Sequence, residues 1–159
     1  MIDYCNCIFS RVAATHLRPL QSVLNAAARL IIKKRKCDPV TATICDVLHW
    51  LPIQQRIEYT LCDLVYKAMH HTAPVYQTDL CVSLSIHKGR ANFRSATHGD
   101  LSVAENKGTT YGCRSFAVSG PKTWNLNTIS LSTREQSLSR GQFRSRLRTE
   151  LFNRAYYVA

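Results

Sequence analysis

The sequence predicts a mainly α protein: a helical bundle in the first half, a loop-rich segment with a short β-hairpin, and a C-terminal amphipathic helix. Three observations carry this. Apolar side chains recur at helical spacing through roughly the first half of the chain. The stretch His87 to Thr110 is rich in Gly, Asn, Ser, Thr and Arg and poor in apolar residues, which reads as loop or extended chain. From about Ser139 to Tyr156, Phe143, Leu147 and Leu151 form one apolar stripe on an otherwise basic segment. The chain therefore divides into a helical region, 1–84, a loop-rich segment, 85–110, and a C-terminal region, 111–159.

The first helix is expected from about Pro19 to Lys36, with Leu20, Val23, Leu24, Ala27, Leu30 and Ile31 on its buried face. Pro19 suits the first helical position. Lys33, Lys34, Arg35 and Lys36 then fall in the last turn, where cations meet the negative end of the helix dipole. Asp38-Pro39 stops this helix and offers a cap for a second, from about Pro39 to Leu48, with Val40, Ile44, Val47 and Leu48 inward. Trp50-Leu51-Pro52 makes a corner, because Pro can begin a helix but not continue one. The clearest periodicity follows, from about Ile53 to His70, with Ile53, Ile57, Leu61, Leu64, Val65 and Ala68 along one face. A shorter helix follows Pro74, using Tyr76, Leu80 and Leu84. Beyond it, Asp100-Leu101-Ser102-Val103 and Thr109-Thr110-Tyr111 alternate and can pair weakly as strands. Order returns at Gly112 to Phe116 and leads into Gly120-Pro121-Lys122-Thr123-Trp124-Asn125.

A length of 159 residues fits one domain, or one domain and a tail. The formal charge is +11, from 21 Lys and Arg against 10 Asp and Glu. Such an excess favours a polyanionic partner, nucleic acid or an anionic membrane surface, though a basic soluble protein with no such partner has the same composition. Seven Cys is an odd count. The start, Met1-Ile2-Asp3-Tyr4-Cys5, has neither the basic nor the apolar region of a signal peptide. Reduced thiols in a cytoplasmic or nuclear, non-secreted protein are expected. No apolar run is long enough to span a bilayer, and no membrane partner is expected.

The chemistry-bearing patterns are mostly missing. Cys5-Asn6-Cys7 is too close for a zinc knuckle, Cys37 and Cys45 are too far apart, and His70-His71 point to different sides of a helix. No Ser, Cys or His sits in a nucleophile frame, and there is no phosphate-cradling Gly loop. The expectation is no metal, no cofactor and no small-molecule substrate. What remains is two basic patches: Arg29 with Lys33, Lys34, Arg35 and Lys36, and the final helix with Arg140, Arg144 and Arg148, joined by Arg146 and Arg154. Their functional reading is contact with RNA or DNA phosphates, which sets position and does not read sequence. The plainer reading is solvated helix surface. Trp124 and Tyr111 offer rings for stacking on unpaired bases. For Trp50 and Trp124, core packing is the simpler role.

Several motifs occur in a fixed order: Asp3-Tyr4-Cys5-Asn6; Gln21 to Arg29 with its Asn25-Ala26-Ala27-Ala28-Arg29; Lys36-Cys37-Asp38-Pro39-Val40-Thr41; Leu48-His49-Trp50-Leu51-Pro52-Ile53; Leu64 to Tyr76; Arg94-Ser95-Ala96; Thr110 to Phe116; Gly120 to Asn125; and Phe143 to Phe152. Together they resemble the region after the polymerase core in reverse transcriptases of LINE-type (non-long-terminal-repeat) retrotransposons, most closely the Jockey-like and chicken-repeat-like groups. The likeness runs over nearly the whole chain. It departs where the family continues Trp-Asn with Ser-Leu-Pro and this chain has Leu126-Asn127-Thr128. It also departs where the family has Gly-Leu-Ala-Pro and this chain has His71-Thr72-Ala73-Pro74.

The resemblance implies a thumb-like and post-polymerase segment that helps hold template and primer behind an active site. It implies a parent RNA-directed DNA polymerase whose catalytic core would be the missing partner. Such polymerases hold two metal ions on aspartates, two of them adjacent. Here Asp3, Asp38, Asp46, Asp63, Asp79 and Asp100 are scattered singly, so this chain is expected to be no enzyme. Met1 matches a position inside the family's reading frame, so Ile2, Ile8, Phe9 and Val12 are expected to lack some packing partners. The alternative is an autonomous small basic helical protein that binds nucleic acid or another protein.

Overall fold

A computed structural model describes residues 6–86, 99–105, 112–126 and 129–157, and the mainly α class holds among them. Six α-helices lie in this part of the chain: α1, Ala14–Ile31; α2, Thr41–Asp46; α3, Ile53–Met69; α4, Val75–Thr78; α5, Phe116–Asn125; and α6, Arg140–Tyr156. Short 3-10 turns cover Asn6–Phe9, Leu84–Ile86 and Gly112–Arg114.

Helix α3 is the central strut, and α1, α4, α5, α6 and the 6–9 turn all contact it. Its start shows how one helix fixes another. Pro52 precedes it in an extended conformation, and the Ile53 amide donates to the Gln21 side chain of α1 at 3.0 Å. An N-terminal amide that has no partner inside its own helix is thereby satisfied from a neighbour. Ile53, Ile57 and Leu61 pack on Leu17 and Leu24 of α1. One side round, Cys62, Val65 and Tyr66 pack with Trp124 of α5 and Phe143, Leu147 and Leu151 of α6. Two sets of partners widen the buried stripe beyond the single face expected: Cys62 and Tyr66 are buried, while Leu64 is only half-buried. The Tyr66 and Phe143 rings stack at 4.3 Å, and the Tyr66 hydroxyl donates to the Leu138 carbonyl.

The first helix differs from expectation at both ends. It begins at Ala14, so Pro19 lies inside it and one backbone hydrogen bond is forgone. It ends at Ile31, because Lys33 takes a left-handed φ of 54° and the chain turns back. The Lys34 amide reaches the Arg29 carbonyl at 3.0 Å and the Lys33 amide reaches Leu30 at 3.3 Å, the paired bonds of a Schellman stop. Lys33, Lys34, Arg35 and Lys36 are therefore in the loop after α1 and not in its last turn. The buried face is Leu17, Leu24 and Ala28, with Val23, Leu30 and Ile31 exposed. The second helix is shorter than expected. Val40 occupies its cap position, and Asp38 instead accepts the Arg35 amide at 2.9 Å inside the preceding loop.

The order expected to return at Gly112 to Phe116 and lead into Gly120 to Asn125 takes the form of helix α5, with Pro121 inside it. It packs closely on α3 at Gly120, where an added Cβ would lie 2.9 Å from Phe116 and 3.1 Å from Val65, while Val118 and Trp124 are buried on either side. Asn125 at its end accepts the Leu101 amide at 2.8 Å and donates to the Leu101 carbonyl at 2.7 Å. Asp100 pairs with the buried Arg134 at 2.9 Å. Segment 100–102 runs antiparallel to Val82–Leu84 through a single bridge at Ser83 and Leu101. Its expected partner, Thr109 to Tyr111, lies outside the described residues.

Candidate nucleic-acid interface

The register of α6 decides where its arginines go. Ser139 opens the helix with a reciprocal cap: its hydroxyl accepts the Gln142 amide, and the Gln142 side chain accepts the Ser139 amide. From that start Phe143, Leu147 and Leu151 share a face and are buried. Arg140, Arg144 and Arg148 repeat at the same four-residue step, one position round from the apolar stripe. They therefore emerge at the edge of the α3 contact rather than on the far side of the helix.

Helix α3 presents a matching row. Arg56, Tyr59, Asp63, Lys67 and His70 follow one another at steps of three and four residues. The helices run antiparallel: Arg140 meets Asp63, Arg144 meets Tyr59, and Arg148 reaches back to the His49 carbonyl at 2.9 Å. The seam between the rows is a groove about 20 Å long, from the 14-residue span of α3 at about 1.5 Å per residue. It deepens into two clefts. One, of about 410 Å³, is lined by Trp50, Leu51, Arg56, Tyr59, Thr60, Asp63, Arg144 and Arg148. The other, of about 430 Å³, is lined by Tyr66, Lys67, His70, Thr72, Leu138, Ser139 and Arg140.

Asp63 stands between them. It takes a two-pronged bond from Arg140, at 3.2 and 3.0 Å, and faces Lys67 at 3.5 Å and Arg144 at 4.0 Å. Partial burial pushes its carboxyl up, but the Arg140 hydrogen bond and the Lys67, Arg140 and Arg144 charges outweigh this and hold it below the usual range. Arg144 donates through Nε to the Tyr59 hydroxyl at 2.8 Å, with its guanidinium carbon 5.8 Å from that ring centre.

The structure thus brings Arg140, Arg144 and Arg148 together with α3. The other basic residues of α6 are spent elsewhere: Arg146 donates to the Ser132 carbonyl at 3.0 Å, and Arg154 pairs with Glu58. The first patch ties up its own loop. Arg29 donates to the Asp38 carbonyl at 3.1 Å, and Lys34 bonds the Pro39 carbonyl at 3.4 Å and the Thr43 hydroxyl of α2 at 3.0 Å. Lys33, Arg35 and Lys36 are exposed on the same turn. This patch bonds to α2 and its approach, and the Arg140, Arg144 and Arg148 patch of α6 to α3 and the 47–52 corner.

Trp124 is no stacking platform. It is 1% exposed, and its indole N–H donates to the Gly99 carbonyl at 3.2 Å. Tyr111 lies outside the described residues. The rings that do border the basic surface are Tyr59 and Trp50, both half-buried. Sequence reading passed over Arg56, Tyr59, Asp63, Lys67 and His70. Their spacing on one side of α3 was visible, but which helix would lie across from that side was not.

Among the described residues no three His, Cys, Asp or Glu side chains are grouped to hold a metal ion. No described helix is long and apolar enough to cross a membrane. Family models, curated proteins and solved structures give no match to this chain.

Proposed function

We propose that this chain holds nucleic acid along the α3–α6 groove, and that it derives from the post-polymerase region of a LINE-type reverse transcriptase without carrying its catalytic centre. The observation that carries the binding role is the alignment of Arg140, Arg144 and Arg148 beside Arg56 and Lys67 along one seam. A row of guanidinium and ammonium groups about 16 Å long, from the eleven steps between Arg56 and Lys67, suits successive phosphates and sets register without reading bases. The ancestry rests on the ordered motifs over nearly the whole chain.

Salt titration tests the binding role. Affinity for a labelled oligonucleotide should fall linearly on a log–log scale with salt, losing roughly 0.7–0.9 of a log unit per decade for each phosphate neutralised. Replacing Arg144 and Arg148 by Glu should flatten that slope by about two phosphates and weaken binding at least about tenfold. Binding that ignores salt, or ignores the double replacement in a protein still helical by circular dichroism, rejects the groove. Ancestry has its own test. Coding traces of a Phe- or Tyr-x-Asp-Asp motif in the genomic DNA upstream would support it, and a clean promoter there would favour an autonomous protein.

The autonomous reading draws on one observation. The described residues already bury three apolar clusters, with Phe143, Leu147, Val65 and Ala28 fully enclosed. Side chains of that size give about 1.5–3 kcal/mol each on burial, enough to matter against the 5–15 kcal/mol net stability of a domain. A cooperative helical melt of the isolated chain would support self-sufficient folding. A broad, featureless one would mean that its core needs another partner.

A further inference from the structure

The cleft at the Trp50 end of the groove has a composition that phosphate contact alone does not call for. Its walls carry Arg144 and Arg148, two aromatic rings, Tyr59 and Trp50, and the carboxylate of Asp63 at one side. We infer that this cleft is a pocket for a single unpaired nucleotide, with its base against Tyr59 and its phosphate on Arg144 and Arg148. The inference rests on the nucleic-acid reading of the groove and goes beyond it, because it specifies single-stranded nucleic acid.

Three features converge on that ligand. The first is the anion end. Arg144 is half-exposed, and among the described residues it is engaged through Nε alone, by Tyr59 and Asp63. Among the described residues its terminal nitrogens bond nothing, and Arg148 on the next turn of α6 is held beside the cleft through one terminal nitrogen by the His49 carbonyl. Paired guanidinium groups are the usual cradle for such an oxygen. The second is a flat apolar wall. The Tyr59 ring, with the Arg144 guanidinium at its hydroxyl edge, is the kind of flat surface on which unpaired bases settle. The third is Asp63. A carboxylate repels a second phosphate but accepts hydrogen bonds from a base amino group or a ribose hydroxyl. Anion, ring and donor in sequence is the chemistry of a nucleotide, and a simple polyanion offers only the first.

Size and shape agree. A volume of about 410 Å³ falls in the range of small-ligand pockets, roughly 300–1,000 Å³. The bases of a duplex are paired and stacked, so they cannot enter such a recess without being flipped out. Duplex would therefore touch only the rim.

The test compares a labelled twelve-nucleotide oligo-dT, the matching oligo-U, a blunt duplex of equal charge, and inorganic polyphosphate, all at one salt concentration. Either single strand should bind at least about tenfold tighter than duplex or polyphosphate. Tyr59→Leu should weaken single-strand binding by about fivefold to a hundredfold, the range of one base–aromatic stack, and weaken duplex binding by clearly less, since duplex loses only the hydroxyl that holds Arg144. Tyr59→Phe keeps the ring but loses the hydroxyl that holds Arg144, and should retain the preference for single strand over duplex. Should Tyr59→Leu unfold, tryptophan fluorescence of the unaltered chain serves instead: Trp124 is enclosed, so quenching by oligo-U reports Trp50. Equal binding of single strand, duplex and polyphosphate, with Tyr59→Leu neutral or no quenching, overturns the pocket and leaves the groove standing. No salt-dependent binding of any probe overturns the groove and the pocket with it.

Discussion

Asp63→Asn should make the protein less stable and a better binder at once. Asp63 is the one carboxylate among the described residues lining the groove, and it holds Arg140, Lys67 and Arg144 around itself. Arg140 and Arg144 are each about half-exposed, with side-chain exposures of 46% and 49%, so solvent screens both pairs. Exposed pairs are worth about 0.2–1 kcal/mol each, and the network together about 1–2 kcal/mol. That should lower the melting temperature by roughly 2–8 °C in a chain of this size. The loss should depend on pH. The Asp63 carboxyl is held below its ordinary value in the folded state, so its stabilisation is complete above the unfolded value of about 3.9 and disappears as pH falls through the lower folded value. The gap between parent and variant should therefore be widest near neutrality and close in acid below about pH 4.

Binding should move the other way. A phosphate roughly 7 Å from the carboxylate, at an intermediate effective dielectric of about 40, feels about 1 kcal/mol of repulsion. Removing it, and releasing Arg140, should tighten binding of duplex DNA or polyphosphate, which meet Asp63 with phosphate alone, about threefold to tenfold at low salt, with less gain at high salt. Fluorescence anisotropy read beside a thermal melt at several pH values reports both effects. A folded variant that binds duplex or polyphosphate no tighter than the parent would refute the idea that Asp63 competes with phosphate. A stability gap that persists undiminished at pH 3 would refute the ion-pair account.

Three further outcomes are expected. Gly120→Ala should cost about 1–2 kcal/mol in urea unfolding despite the higher helix propensity of Ala, because its Cβ would press on Phe116 and the enclosed Val65; equal or greater stability would show that the Phe116 ring yields freely. His71→Gly should stabilise by about 0.5–1 kcal/mol, since His71 is exposed and holds φ at 53° in the Schellman stop of α3, a conformation suited to Gly; a lower melting temperature would mean that the imidazole makes a contact worth keeping. Cys62, 1% exposed and with its thiol pushed up to about 12 by burial, should resist iodoacetamide in the native protein while exposed Cys37 reacts; peptide mapping that finds Cys62 modified at a comparable rate would contradict its burial.

Local pattern was enough for much of the fold. The spacing of Ile53, Ile57, Leu61, Val65 and Ala68 gave α3 nearly to its ends, and Phe143, Leu147 and Leu151 gave α6. Both depend on which residues recur every turn, and that is written along the chain. Pro74 marked the start of α4, since proline opens a helix by its own geometry, but the helix stops at Thr78 and Tyr76 and Leu80, expected to pack, are exposed. Other features needed partners distant in sequence. Helix α5 runs through Gly120-Pro121 packed on Val65 of α3, a contact that leaves no room for a Cβ at Gly120. Helix α1 buries Leu17 and Ala28 and leaves Leu30 outside because of where α3 and α2 lie against it. The candidate site divides in the same way. Composition and the arginine spacing of α6 determined that a basic stripe exists. Only the antiparallel docking of α6 on α3 decided that Arg140, Arg144 and Arg148 share a groove with Arg56, Tyr59 and Asp63, while Arg29 and Lys34 fasten a loop. A periodic pattern fixes which side chains share a face, but the surface that face meets is set by packing among segments far apart in the chain.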